Sequence, residues 1–200
     1  EHTKSQGHSQ VVLGQGPHYL FQGVPEENPG AVEFFQKRGY QAAWSSVNMR
    51  LDLAGYDPGQ VDIPPVPEDV AFRLLETGEE PALLAAVEDA QPAWLEFYQG
   101  CPSPILVAVE QGQLVGFAMV PPEGGRFLGD VEKPGSLECV GVVKSHRNRG
   151  IGMGMVLAGI RWLKEQGCGS IELRYVALED WYHKVGFCTF QRMWMGEKNL

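Results

Sequence analysis

The segment that most constrains this chain runs from Lys144 to Gly154, "KSHRNRGIGMG". Four basic or potentially basic side chains lead into glycines at 150, 152 and 154. The residues that follow, "IGMGMVLAGIRWLKEQG", place Val156, Ile160 and Leu163 on one helical face, with Gly167 where a C-cap belongs. The spacing predicts an amphipathic helix that opens on a glycine-rich turn. Each glycine inside a helix costs about 1 kcal/mol relative to alanine, so Gly152 and Gly154 must be offset by close packing or by a ligand. A helix N-terminus carries unpaired N–H groups and a partial positive charge, and glycine lets an anion approach that backbone.

Two phosphate motifs fit poorly. A P-loop requires a GK[ST] ending, which is missing here. A dinucleotide fingerprint reads GxGxxG directly after a strand, whereas here the third glycine comes one residue early and a basic hexapeptide intervenes. Glu172 lies near the distance expected of a ribose-binding acid, but its alternation with Ile171 and Leu173 reads as an outward-facing strand carboxylate.

The basic cluster is a local exception in an acidic chain. The 200 residues carry a formal charge of -9 and a pI near 5.0, which argues against a nucleic-acid partner, whose phosphates demand a broad excess of Lys and Arg. No apolar run approaches the roughly 20 residues of a spanning helix, so no membrane partner is expected. The polar start "EHTKSQGHSQ" lacks a signal-peptide core, and a cytoplasmic location is the expectation. Cys101, Cys139, Cys168 and Cys188 are scattered, without ligand spacing to the histidines. Reduced, mostly buried thiols and no metal site are expected.

Proline and glycine replace apolar periodicity in "DLAGYDPGQVDIPPVPEDV", which predicts a linker and divides the chain into 1–54, a linker at 55–69, and 70–200. In the long part, strands are predicted at 71–75, in two runs within 104–120 around Gln111-Gly112, and at 136–143, 170–176 and 187–195; helical stretches fall between. The order indicates an α/β (mixed α+β) fold, with a mixed sheet and helices on both faces. In the short part, "EFFQKRGY" (33–40) matches "DWYHKVGF" (180–187), with aromatic pairs, Lys and Gly at one constant offset. It therefore reads as the C-terminal end of a partial second copy.

These two motifs together resemble the GCN5-related N-acetyltransferase (GNAT) family. In "VVKSHRNRGIG", Arg147, Gly150 and Gly152 fit that family's acetyl-CoA motif; in "DWYHKVGF", Tyr182, Lys184, Gly186 and Phe187 fit its later aromatic segment. The resemblance covers about residues 70–195 and implies a mixed, mostly antiparallel sheet flanked by helices, with acetyl-CoA as cofactor. It implies that Arg147, Asn148, Arg149, Gly150, Ile151, Gly152, Met153 and Gly154 cradle the pyrophosphate, the basic side chains offsetting its charge. Glu138, Val140 and Val142 alternate onto one face of their strand, and Gly141 is the position expected to allow a bulge. By resemblance, the N–H of Val142, with that of Val143 or Val140, holds the thioester carbonyl and pantetheine arm. Glu138 is the candidate general base, or else an exposed strand carboxylate. Tyr182 is the candidate acid for the departing thiolate, or else a residue packed on the sheet beside Trp181. The loop "YVALEDWY" lacks the Asn that relatives usually carry there. In the first copy Phe35 replaces the tyrosine and no glycine-rich turn precedes it, so that copy is expected to be silent.

Transfer of acetyl from acetyl-CoA to a primary amine, on a small molecule or a peptide, by direct attack through a tetrahedral intermediate is the function implied. The competing reading is a silent acyl-CoA-binding sensor or partner-docking module. An unpaired sheet edge in the first part makes a homodimer a further expectation. Trp94, Phe97 and Tyr98 lie in the region that covers the acceptor pocket of this fold, although aromatics so spaced also serve as core.

Overall fold

The computed structural model describes residues 7–14, 22–124 and 134–200. Its strands are β1 (Gln10–Val12), β2 (Val24–Pro25), β3 (Gln41–Asp52), β4 (Val70–Leu74), β5 (Ile105–Glu110), β6 (Gln113–Met119), β7 (Gly135–Ser136), β8 (Glu138–Val142), β9 (Ser170–Val176) and β10 (Cys188–Asn199). The helices are α1 (Pro29–Gln36), α2 (Glu80–Ala90), α3 (Leu95–Tyr98), α4 (Ile151–Glu165) and α5 (Glu179–His183). Two compact units contain them: Glu1–Met49 with Arg174–Glu179 and Cys188–Leu200, and Arg50–Leu173 with Asp180–Phe187. One sheet follows the order β4-β5-β6-β8; the other follows β1-β10-β3-β9-β7, with β2 on β10. Among the described residues, no helix is long and apolar enough to cross a membrane.

The four-stranded sheet lies in the second unit and forms by local rules. Gln111 and Gly112 both take positive φ (50° and 79°), the backbone of a two-residue hairpin turn, and join β5 to β6. One face of this sheet packs Val107, Phe117 and Met119 against Leu83, Val87 and Tyr98 of α2 and α3. The other face meets α4, whose Val156, Ile160 and Leu163 are fully buried as their spacing predicts. Gly167, at φ 82°, ends this helix, with Cys168 N–H donating to Leu163 O at 3.1 Å.

The chain from Gly135 to Val142 changes partner partway along. Gly135 and Ser136 pair in parallel with Ile171 and Glu172 of β9; after Leu137, β8 pairs antiparallel with β6. The parallel pairing makes the sheet that contains β7 and β9 mixed. In the register of β8, Phe117 faces Gly141 and Met119 faces Glu138, so three steps on β8 oppose two on β6. The extra residue is a bulge at Cys139, whose φ is 48°.

This bulge corrects two expectations. It sits at Cys139, not at Gly141, where a side chain is excluded because a Cβ would overlap the Phe117 ring. It also reverses the alternation: Glu138 shares a face with Gly141, Phe117 and Met119, opposite to Val142. A third correction concerns Glu172, which is only 6% exposed and bound by Arg50, whose Nε donates to Oε1 at 3.2 Å. A strand carboxylate reads as outward by alternation, yet a guanidinium from β3 compensates its burial. Of the cysteines, all free, only Cys168 is buried and Cys188 is exposed.

Two turns repeat one geometry. After α1, the N–H groups of Arg38 and Tyr40 both donate to Phe35 O, and that of Gly39 donates to Gln36 O. After α5, the N–H groups of Val185 and Phe187 both donate to Tyr182 O, and that of Gly186 donates to His183 O. Gly39 and Gly186 take φ 84° and 91°. Phe34-Phe35-Tyr40 and Trp181-Tyr182-Phe187 are each linked edge to face. The strands that follow, β3 and β10, are both 12 residues long.

Ile160, with no exposed surface, reports on the α4 packing. Ile160→Ala is expected to lower the unfolding free energy by about 2–5 kcal/mol in urea titration. Glu165→Ala, at an exposed site of the same helix, is expected to stay within about 0.5 kcal/mol of wild type.

Candidate active site

The divergence of β8 from β9 leaves β8 at the edge of its sheet. Val143 N–H donates to Val115 O at 3.0 Å, which marks 115 and 143 as a hydrogen-bonded pair. By the antiparallel alternation the intervening N–H of Val142 points away from β6, off the free edge. Of the two alternatives raised for a second donor, Val143 is therefore spent within the sheet. Val140 follows the bulge, two residues before Val142.

The basic turn lies directly beyond this strand. Lys144–His146 form a short 3-10 turn, and Lys144 N–H donates to Asp89 Oδ2 at 2.7 Å. Arg147 Nε donates to Val142 O at 3.1 Å, while its Nη2 donates to Ala90 O at 2.9 Å, at the C-terminus of α2, where a cation is favoured. Arg149 makes a bidentate pair with Glu110 (2.9 and 2.7 Å), and His146 Nε2 lies 3.0 Å from the same carboxylate. Glu110 is 8% exposed, and Arg149 beside it, with a smaller contribution from His146, holds its carboxyl below the usual carboxylate range. These side chains also have partners within the protein: Arg147 binds two carbonyls and keeps its charge, whereas Arg149 and His146 face Glu110. The sequence offered no local sign of this, because Glu110 ends a strand 39 residues earlier.

An unusual backbone completes the turn. Asn148 and Gly150 take φ 61° and 78°, and Gly150 is the N-cap of α4 without any side-chain cap. Gly154 N–H makes the first bond of the helical ladder, to Gly150 O at 3.0 Å. Ladder geometry leaves the N–H groups of Ile151, Gly152 and Met153 directed out of the helix end.

The glycines now separate by function. A Cβ at Gly150 would come within 2.6 Å of Pro65 O and 2.8 Å of Pro64 O, because the proline-rich segment crosses behind the turn. A Cβ at Gly154 would come within 2.6 Å of the Phe72 ring and 2.8 Å of Val66. Gly154 is thus explained by packing. At Gly152 the nearest atoms are Trp181 Cζ2 at 3.4 Å and Val142 Cγ2 at 3.7 Å, an ordinary contact distance. Among the described residues, no neighbour excludes a side chain at Gly152, in contrast to Gly150 and Gly154.

Tyr182 completes the group. It stacks edge to face on Trp181 (4.7 Å) and Phe187 (5.8 Å), and Trp181 is also the neighbour of Gly152. Burial, and then the Cys139 thiol, raise its phenol well above the ordinary value, so it stays protonated throughout the physiological range. Tyr56, from the predicted linker, fixes the following turn by donating to Val185 O at 2.8 Å. Burial pushes the Cys139 thiol itself up to about 12, with Glu138 and Cys101 adding to the shift. Glu138 therefore lies in the same electrostatic neighbourhood, from the face turned toward α2 and α3.

This arrangement coincides with a family match over residues 71–187, more than half of the chain, to the acetyltransferase (GNAT) family model. The chain belongs to that family. Among solved structures it is similar to the GCN5-related glucosamine N-acetyltransferase region of a fungal multi-domain GH3 beta-N-acetylglucosaminidase, at 25% identity and TM-score 0.80, over 98% of this chain and 26% of that one. It is also similar to a GCN5-related N-acetyltransferase from Sphaerobacter thermophilus (20% identity, TM-score 0.67, 96% of this chain and 61% of that one). A tandem GNAT protein from the clavulanic acid biosynthesis pathway shares the fold (17% identity, TM-score 0.65, 98% of this chain and 66% of that one). The chain thus spans about a quarter of the fungal protein's length and three fifths of the Sphaerobacter one. No curated protein sequence matches it significantly.

Gly150→Ala is expected to destabilise the fold by about 2 kcal/mol or more, through a left-handed backbone and two obstructing carbonyls. Gly152→Ala is expected to fold as well as wild type, gaining up to about 1 kcal/mol of helix propensity, yet to lose acetyl-CoA affinity; calorimetric titration beside thermal melts separates the two. The Glu110 carboxyl is depressed in the folded state, so its contribution is present above the ordinary value of 4.5 and is lost as pH falls through the folded one. Thermal melts from pH 7 downward should show this acid limb in wild type and a weaker one in Glu110→Gln.

Proposed function

We propose that this chain is an N-acetyltransferase that uses acetyl-CoA and a primary amine. The observation that carries this reading is the position of Val142 on the edge of β8, where strand alternation turns its N–H away from β6, beside the N-terminus of α4. When bound, acetyl-CoA supplies an activated thioester that an amine attacks directly, through a tetrahedral intermediate, with release of a thiol. The N–H groups of Ile151, Gly152 and Met153 receive the pyrophosphate, while Asn148, Arg149 and Gly150 shape the turn around it. Val142 N–H, with Val140, holds the pantetheine arm and stabilises the carbonyl oxygen as charge develops. Glu138 takes the amine proton, directly or through a water. Tyr182 donates its proton to the departing thiolate.

For the acceptor we propose an amino sugar, with glucosamine the first to test. The support is the similarity of nearly the whole chain to the fungal glucosamine N-acetyltransferase region. We further propose that residues 1–54 are a degenerate partial copy, joined by 55–69 to a catalytic part at 70–200. β10 follows β3 by 147 residues at both ends, 188 against 41 and 199 against 52, and the two preceding turns share their hydrogen bonds at that same offset. Phe35 occupies the place of Tyr182, so the first copy lacks an acid.

Thiol release from acetyl-CoA in the presence of glucosamine and other amines tests the reading. Tyr182→Phe is expected to lower kcat by about 10²–10⁴-fold with coenzyme affinity nearly unchanged. Acetyl-CoA binding without turnover on any amine would favour a sensor or docking module instead.

A further inference from the structure

The bulge that parts β8 from β9 is a strained element with one evident tether. Cys139 holds φ at 48°, a left-handed conformation that side chains other than glycine rarely adopt. Its carbonyl accepts a hydrogen bond of 2.8 Å from the hydroxyl of Tyr98, which is 1% exposed. Tyr98 is itself held in place: its ring meets Phe117 edge to face at 5.1 Å, and the Phe117 ring occupies the space that the missing side chain of Gly141 leaves. Gly141, Phe117, Tyr98 and Cys139 thus form a closed circuit that leaves β8 and returns to it two residues earlier. The carbonyl that Tyr98 holds lies where the extra residue interrupts the pairing of β6 with β8. Burial raises its phenol well above the ordinary value, so it remains a donor at every working pH.

We propose that Tyr98 is a positioning residue for acyl transfer: by holding the Cys139 carbonyl it fixes the bulge, and through the bulge the direction of the Val140 and Val142 N–H groups. It touches no reacting atom. The proposal rests on the acetyltransferase reading for its consequence in catalysis, but its structural content does not depend on a coenzyme. A residue that served the core alone would change stability and leave the rate per folded molecule untouched. A positioning residue changes kcat, because small displacements of a catalytic donor carry large penalties.

Tyr98→Phe keeps the ring and removes the tether. It is expected to lower kcat by about 10- to 100-fold at a temperature where the variant is fully folded, with KM for the amine within about twofold of wild type. Cys139→Gly removes the strain that the tether opposes, since glycine takes positive φ freely. Introduced into Tyr98→Phe, it is expected to recover at least half of the lost activity on a logarithmic scale, a coupling that independent sites do not show. A wild-type kcat in Tyr98→Phe would overturn the proposal, as would a double variant no more active than the single one. Should the wild-type protein transfer acetyl to no amine, the functional reading fails separately. Backbone amide NMR of the coenzyme-free protein then decides the tether: shifts at Val140 and Val142 in Tyr98→Phe support it, and unshifted amides refute it.

Discussion

Everything at this site depends on one short length of backbone that changes partner. Gly135 and Ser136 belong to β9, while Glu138 to Val142 belong to β6. Two strands that part in this way leave a row of peptide groups without ladder partners, normally an unfavourable state for backbone. Here it yields a donor-lined edge. The bulge at Cys139 makes the change of direction, and its strained φ is an example of strain kept where function needs geometry.

The glycine turn extends the same logic from edge to helix end. Under the proposed reading, the amides at the start of α4 are what it offers to an anion. Arg149 and His146 pair with Glu110, and Arg147 with two carbonyls, so they brace the loop between β8 and α4. The bracing also explains why the turn tolerates positive φ at both Asn148 and Gly150, on either side of Arg149, without a side-chain cap.

Much of this was legible in the sequence because it is local. The 3.6-residue spacing of Val156, Ile160 and Leu163 placed α4, the Gln111-Gly112 pair placed the hairpin, and the shared aromatic-Lys-Gly pattern singled out two turns of one geometry. What the sequence hid was non-local. A bulge at a cysteine has no compositional mark, and its one-residue slip moved Glu138 to the other face of the strand from Val142. Partners 39 or 122 residues apart, Glu110 with Arg149 and Arg50 with Glu172, cannot be paired by inspection of either neighbourhood. The glycines looked alike in sequence, yet a side chain at Gly154 would overlap Phe72 and Val66, while one at Gly152 would meet Trp181 and Val142 only at ordinary contact distance; only the fold distinguishes the two.

The most direct measurement of the account is calorimetric titration of the purified protein with acetyl-CoA, with NAD as the control nucleotide. The account predicts one site of micromolar affinity for acetyl-CoA, no binding of NAD, and loss of the acetyl-CoA signal in Gly152→Glu with the fold intact. Absence of acetyl-CoA binding by the wild-type protein, or equal binding by Gly152→Glu, would contradict it.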